Sequence, residues 1–198
     1  MVDGNIKPPR KSILVLHHTF FHDAFRYYPN YSMENYEGLK HTRFIARYII
    51  EVGSEIPESE YQAITSKRVL DEFGEKFKSS LKTAGAIKFL EIMSGLIFYV
   101  NDVAINSLNL DEGVIAIADK LFSTSPVEYE PVLIVNPSAK NNLVKKVLKF
   151  YQATLGKKFT DKNIPFLILD SKEAVLFLEA RYPQICDSVK DRMKSAPF

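Results

Sequence analysis

Three short stretches are continuously apolar: residues 13–17 (ILVLH), 132–135 (VLIV) and 166–169 (FLIL). Runs of this length without alternation fit strands buried on both faces of a sheet. A fourth run, residues 96–100 (LIFYV), lies inside a longer apolar region and fits either a strand or a helix segment. Between these runs the apolar positions recur at helical spacing. Ser32 is a candidate N-cap with Glu34 in the first turn. Phe44, Tyr48 and Val52 follow at i, i+4, i+8 beside Ile45 and Ile49, and Gly53 can close that helix. Pro57, with Glu58 and Glu60, predicts the start of a second helix whose stripe is Leu70, Phe73, Phe77, Leu81 and Ala84.

Three further helices are predicted. One covers residues 111–122, with Val114, Ile117, Ala118 and Leu121 inward. The next covers 141–155, with Leu143, Val144, Val147, Leu148 and Tyr151 inward. The last begins at Asp170, which with Glu173 forms a capping box, and Pro183 follows its end. Strands alternating with amphipathic helices make a parallel sheet with right-handed crossovers. The expected fold class is therefore α/β: a mostly parallel sheet flanked by helices, with a helix-rich N-terminal half. Strands 132–135 and 166–169 should be adjacent or next-adjacent and parallel. The organisation expected is one α/β domain over residues 1–198. It comprises a loose arm (1–11), a helix-rich half (12–94), a β/α half (95–182) and a loose tail (192–198).

Composition narrows the class. The chain has 198 residues, 46% hydrophobic and 25% charged, with 26 basic against 24 acidic side chains. That excludes wholesale disorder and gives no global field for nucleic acid or membrane. Cys186 is the single cysteine, so neither an internal disulfide nor a cysteine-based zinc site is available. The most apolar window, residues 86–105, carries Lys88, Glu91, Asn101 and Asp102, which suits a core segment better than a membrane span. With no signal-peptide core near the N-terminus and a lone thiol, the expected compartment is the cytoplasm.

The second half, with LIFYVNDVAINSLNLDEGVIAIADKLF, PVLIVNPSAKNNLVKKVLKFY and IPFLILDSKEAVLFLEARY, resembles a STAS-like domain, the α/β module of anti-sigma-factor antagonists. The resemblance covers about residues 95–182. It implies a regulatory module that binds a partner protein or small ligand. It also draws attention to Ser107, because regulatory members carry a phosphorylated Ser in this loop, commonly preceded by Asp. Here the preceding residue is Asn106.

The candidate chemistry lies in few places. His17, His18, His22 and Asp23 cluster just beyond the carboxyl end of the first strand, where ligands of open α/β sheets gather, and histidine is a common metal ligand. His18 and His22 share a face only if the chain turns helical there. The strand ILVL also resembles the opening of PIN-like nucleases. In those an Asp that helps hold magnesium or manganese follows, whereas His17, His18 and Thr19 stand there here. Hard cations prefer carboxylates, so that activity would need Asp102, Asp111 or Asp170 to converge. In the loop 136–142 (NPSAKNN), Ser138 and Lys140 could hold an anion at a helix start, although no glycine permits a phosphate cradle. An ordinary Ser/Asn cap explains the loop more readily than an anion site does. Residues 140–163 hold seven lysines against one aspartate, which reads as a solvated face more readily than a nucleic-acid surface. The seven aromatics between Phe20 and Tyr36 suit a ligand cleft, an interface or a core cover.

No complete catalytic set emerges. The expected function is a non-catalytic cytoplasmic binding module of STAS-like type, engaging a protein or small-molecule ligand, with no membrane or nucleic-acid partner and room for a homodimer. No cofactor is specified. The alternative is a metal-dependent hydrolase or PIN-like nuclease using the His17/His18/His22/Asp23 cluster.

Overall fold

The structure, a computed structural model, describes residues 10–26, 37–55, 63–78, 95–126, 128–156 and 159–195. Its elements in chain order are β1 (Lys11–Leu16), α1 (His18–Arg26), α2 (Glu37–Glu55), β2 (Ala63–Ser66), α3 (Lys67–Lys78), β3 (Phe98–Val100), α4 (Val103–Ser107), α5 (Leu110–Thr124), β4 (Tyr129–Val135), α6 (Lys140–Leu155), β5 (Leu167–Asp170), α7 (Ser171–Arg181) and α8 (Pro183–Ser195). Among the described residues the sheet has five strands in the order β3-β2-β1-β4-β5, and every pairing is parallel. Val132 stands opposite Leu167 and Val135 opposite Asp170, so β4 and β5 are the adjacent parallel pair that the sequence predicts.

The centre of the sheet is dry. Leu14, Val15 and Leu16 of β1 and Val132 to Val135 of β4 are all buried, as expected of strands covered on both faces. The chain leaves β1 in one direction, through β2 to β3, and then crosses back to β4 and β5. Right-handed crossovers in opposite directions place their helices on opposite faces. Accordingly α5 and α6 pack together over β4, while α2, α7 and α8 pack together elsewhere. Inward positions agree with the predicted stripes: Phe44, Ile45, Tyr48, Ile49 and Val52 of α2, Val114, Ile117 and Ala118 of α5, and Leu143, Val147 and Tyr151 of α6 are buried. Leu148 is only half-buried. Asp170 caps α7 by accepting from the Lys172 and Glu173 backbone N–H groups, and Glu173 Oε2 accepts from Asp170 N–H at 2.9 Å. Gly156 ends α6 at φ 61°, a left-handed position that favours glycine.

Several expectations are corrected. The helix read from Pro57 is preceded by strand β2, and α3 starts only at Lys67. Residues 63–66 (AITS) form that strand because all four are buried in the sheet, which outweighs their weak apolar signal. Helix α2 passes through Gly53 to Glu55. Residues 18–26 do turn helical, and of the aromatics from Phe20 to Tyr36, Phe20 and Phe21 belong to the core. Pro183 follows the end of α7 as expected, but it also opens a further helix, α8, whose Cys186 and Val189 are buried. The tail from Arg192 therefore continues as helix to Ser195. Ser32, Leu81, Ala84 and Tyr36 lie outside the described residues, as does most of the arm. No helix of the described residues is long and apolar enough to cross a membrane.

Candidate functional site at the strand switch point

Between β1 and β4 the strand order changes direction, and the loops leaving their carboxyl ends diverge to opposite faces. Such a point opens a crevice where open α/β sheets bind ligands. His17 sits there. Its backbone N–H donates to Ile134 O at 3.0 Å, extending the β1–β4 ladder by one step. Its carbonyl accepts from Phe20 N–H at 2.9 Å as α1 begins. His17 is thus the residue before the helix, and its ring does the capping. Nδ1 accepts from Thr19 N–H at 3.3 Å and lies 2.9 Å from Thr19 Oγ1. Thr19 Oγ1 itself accepts from Asn136 N–H at 3.1 Å, which leaves the hydroxyl proton for His17 Nδ1. The ring's own proton is therefore assigned to Nε2.

That proton points at Asp111, 94 residues away in sequence. His17 Nε2 donates to Asp111 Oδ1 at 2.6 Å, and His18 Nε2 reaches the same oxygen at 3.2 Å. The two imidazole centroids are 4.1 Å apart. The other carboxylate oxygen accepts from Lys146 Nζ of α6. Asp111 lies in the first turn of α5, behind the Asn109 cap, where the helix dipole favours negative charge. The electrostatics follow. Hydrogen bonds from His17 and then His18 hold the Asp111 carboxyl far below the usual range, against opposing burial and with Lys146 adding. Burial lowers the pKa of His17, opposed by the Asp111 hydrogen bond. His17 is 2% exposed, Asp111 15% and His18 35%, so the cluster is buried on the sheet side and open on the other.

The structure divides the predicted metal set. His17 and His18 come together, but with Asp111 and without His22 or Asp23. His22 is exposed on α1. The Asp23 carboxylate accepts from the Asn136 side-chain amide across the crevice. Among the described residues, His17, His18 and Asp111 are the group whose potential ligand atoms all lie within 4.8 Å of one another. The three acids do not converge: Asp102 caps α4 and pairs with Lys120, Asp170 caps α7, and Asp111 alone faces the crevice.

The predicted anion loop is internally satisfied. Asn136 Oδ1 accepts from Ser138 N–H at 2.7 Å and from Ser138 Oγ at 2.8 Å, an ordinary turn. Lys140 pairs with Glu173. Ser107 is the last residue of α4, not a loop residue, and its hydroxyl donates to Ala104 O at 2.7 Å. These three residues form no common site. Within the basic stretch, Lys140 and Lys146 are paired with acids, while Lys145 and Lys149 are exposed. Sequence reasoning named Asp111 only among three acids that would have to converge, without placing it on the histidines, and read Lys146 as part of a solvated basic face. The one available signal for Asp111 was an acid in the first turn of a helix that follows a strand. A separate, apolar concavity of about 340 Å³ between β2, β3 and α5 is lined by Ile64, Val100, Ile105, Ile117 and Leu121 among others, and holds none of the predicted site residues. No family model, curated protein or solved structure matches the chain.

Proposed function

We propose that this chain is a non-catalytic binding module of STAS-like type whose ligand site is the switch-point crevice. One observation carries the reading. Asp111, the acid shared by the two histidines, has both oxygens committed, to His17 and His18 on one side and Lys146 on the other, and the Asp23 carboxylate accepts from Asn136. A hydrolase working through magnesium or manganese draws on several oxygen ligands, and here a cationic amine stands on the carboxylate that would supply one. A general base needs a ring nitrogen free to take a proton, but both nitrogens of His17 are engaged. The half-exposed edge of His18 and the Lys146 ammonium are what the crevice offers to a ligand. The STAS-like reading rests on the series from β3 to α7. β1, which delivers His17, comes from the other half of the chain, so the ligand site draws on residues outside that resemblance.

The reading is tested by native mass spectrometry of freshly purified protein together with a turnover assay. A stoichiometric non-covalent adduct is expected on the wild type and is expected to be depleted in Lys146→Glu. No hydrolysis of bis(p-nitrophenyl) phosphate or of a single-stranded RNA oligonucleotide is expected with Mn2+ or Mg2+. Turnover that disappears in Asp111→Ala would overturn the proposal in favour of the hydrolase.

A further inference from the structure

We infer that the crevice formed by His17, His18 and Asp111 takes a divalent first-row transition-metal ion. The inference rests on the reading of the crevice as the ligand site and adds to it an ion, distinct from the ligand that the Lys146 ammonium would meet. His17, His18 and Asp111 each offer a donor atom within 4.8 Å of the other two, close enough to share one ion, and Nε2 of both rings lies within 3.2 Å of one Asp111 oxygen. Two imidazoles and one carboxylate form a nitrogen-rich set. It suits zinc, cobalt or nickel and does not suit magnesium or calcium, which seek oxygen shells. Three protein ligands leave a coordination position for water or an incoming group. That position faces solvent, because His18 and Asp111 are the partly exposed members while His17 is sealed beneath them.

The surroundings supply the outer contacts such a site requires. Ligating histidines are oriented by a partner on the second ring nitrogen, and ligating carboxylates by a donor on the second oxygen. Thr19 Oγ1 stands 2.9 Å from His17 Nδ1, and Lys146 holds the Asp111 oxygen that the ion does not need. The proton accounting is specific to this chain. In the metal-free protein the His17 ring proton lies on Nε2, between the ring and Asp111. When Nε2 binds the ion, this proton is displaced and Nδ1 takes one up, so the His17 ring stays neutral; His18 likewise moves the proton it shares with Asp111 from Nε2 to Nδ1 and stays neutral. Thr19 Oγ1 then turns from donor to acceptor. The Thr19 backbone N–H loses the ring nitrogen it donates to at 3.3 Å. Metal binding and the capping of α1 therefore compete for one imidazole. The ion would reach the rest of the molecule through the first turn of α1, whose Phe20 and Phe21 are core residues.

The experiment is a Zn2+ titration of chelator-stripped protein by calorimetry. Co2+ absorption provides a geometric readout, and amide spectra report on α1. One ion per chain is expected, with the Thr19 and Phe20 amides shifting on binding. His18→Ala, a half-exposed position whose loss leaves the core intact, should weaken binding at least about tenfold, since disturbing even the outer contacts of metal ligands costs 10–100-fold. Asp111→Asn should act in the same direction, and His22→Ala should bind as the wild type does. Absence of stoichiometric Zn2+ binding, or binding that survives both His18→Ala and Asp111→Asn, overturns the inference. So does binding that depends on His22. The two readings fail separately. Zinc binding accompanied by hydrolysis would leave the metal site standing and remove the non-catalytic reading. A crevice adduct on protein that ignores zinc would do the reverse.

Discussion

His17 performs two jobs with one ring, and its neighbours make those jobs separable. Nδ1 caps α1, and Nε2 holds Asp111. His17→Ala forfeits both, a helix cap and a buried hydrogen bond to a charged group, and should cost about 2–4 kcal/mol. His17→Asn retains a good capping residue and should recover part of that loss. The pH dependence has a definite sign. Burial lowers the folded-state pKa of His17 below its ordinary 6.5, while the unfolded chain takes up its proton near 6.5. Below that value the unfolded state binds more protons, and stability declines until pH reaches the lowered folded value. Asp111 acts in a lower window. Its folded pKa lies below the ordinary 3.8, so its contribution is present above 3.8 and is lost as pH falls beneath it. Urea titrations of metal-free protein across the mildly acidic range should show the His17 decline in the wild type and a flatter profile in His17→Asn. Equal profiles would mean that the ring does not set the slope.

At the scale of elements, packing separates positions that periodicity alone treats alike. In α6, Leu143 is 2% exposed whereas Leu148 is half-buried. Leu143→Ala should cost about 2–5 kcal/mol as a buried truncation, with Leu148→Ala falling short of it. Lys145→Ala should stay within about 0.5 kcal/mol, and Lys146→Ala should exceed that because it uncovers the Asp111 oxygen. Thermal unfolding of the four variants checks this order. A second check uses Cys186, buried in α8. Burial first, and Glu179 next, push its thiol up to about 11. A disulfide reagent at neutral pH should therefore modify it only at the rate at which α8 detaches, and quickly once urea unfolds the chain. The elements that were legible in advance share a cause. β4 and β5 are continuous apolar runs, and α7 carries its capping box in adjacent residues. Those that were not legible carry signals which tertiary burial overrides: β2 holds Thr65 and Ser66 inside the sheet, and α8 opens on a proline that reads equally as a stop. The site was half legible for the same reason. His17 and His18 are neighbours in the chain, but Asp111 reaches them only through the crossover from β3 to β4.

At the scale of the molecule, the question is what keeps β1 in the centre of the sheet when its register partners come from both halves of the chain. The C-terminal helix contributes through α2. Arg192 of α8 pairs with Glu51 of α2 at 2.9 Å, Glu51 also accepts from Arg47 at 2.9 Å, and the Glu51 carboxylate is almost wholly buried. Cys186 and Val189 complete the contact from α8 with no exposed surface. The sequence reading leaves residues 192–198 as a loose tail, whereas the structure carries helix α8 from Pro183 to Ser195. A chain ending at Tyr182 loses that whole helix and should be destabilised. Each buried aliphatic side chain lost removes about 1.5–3 kcal/mol of burial, and Glu51 is left buried with one fewer cation, a defect that is costly by itself. A total loss of at least about 3 kcal/mol would lower the Tm by about 6–12 °C for a chain of this size. Lys194→Ala, on the exposed side of the same helix, should leave the Tm unchanged. Circular dichroism melts of the truncated chain and of Lys194→Ala decide the matter. If the two melt together, α8 is an appendage, and the burial of Glu51 must be maintained by α2 and its Arg47 alone.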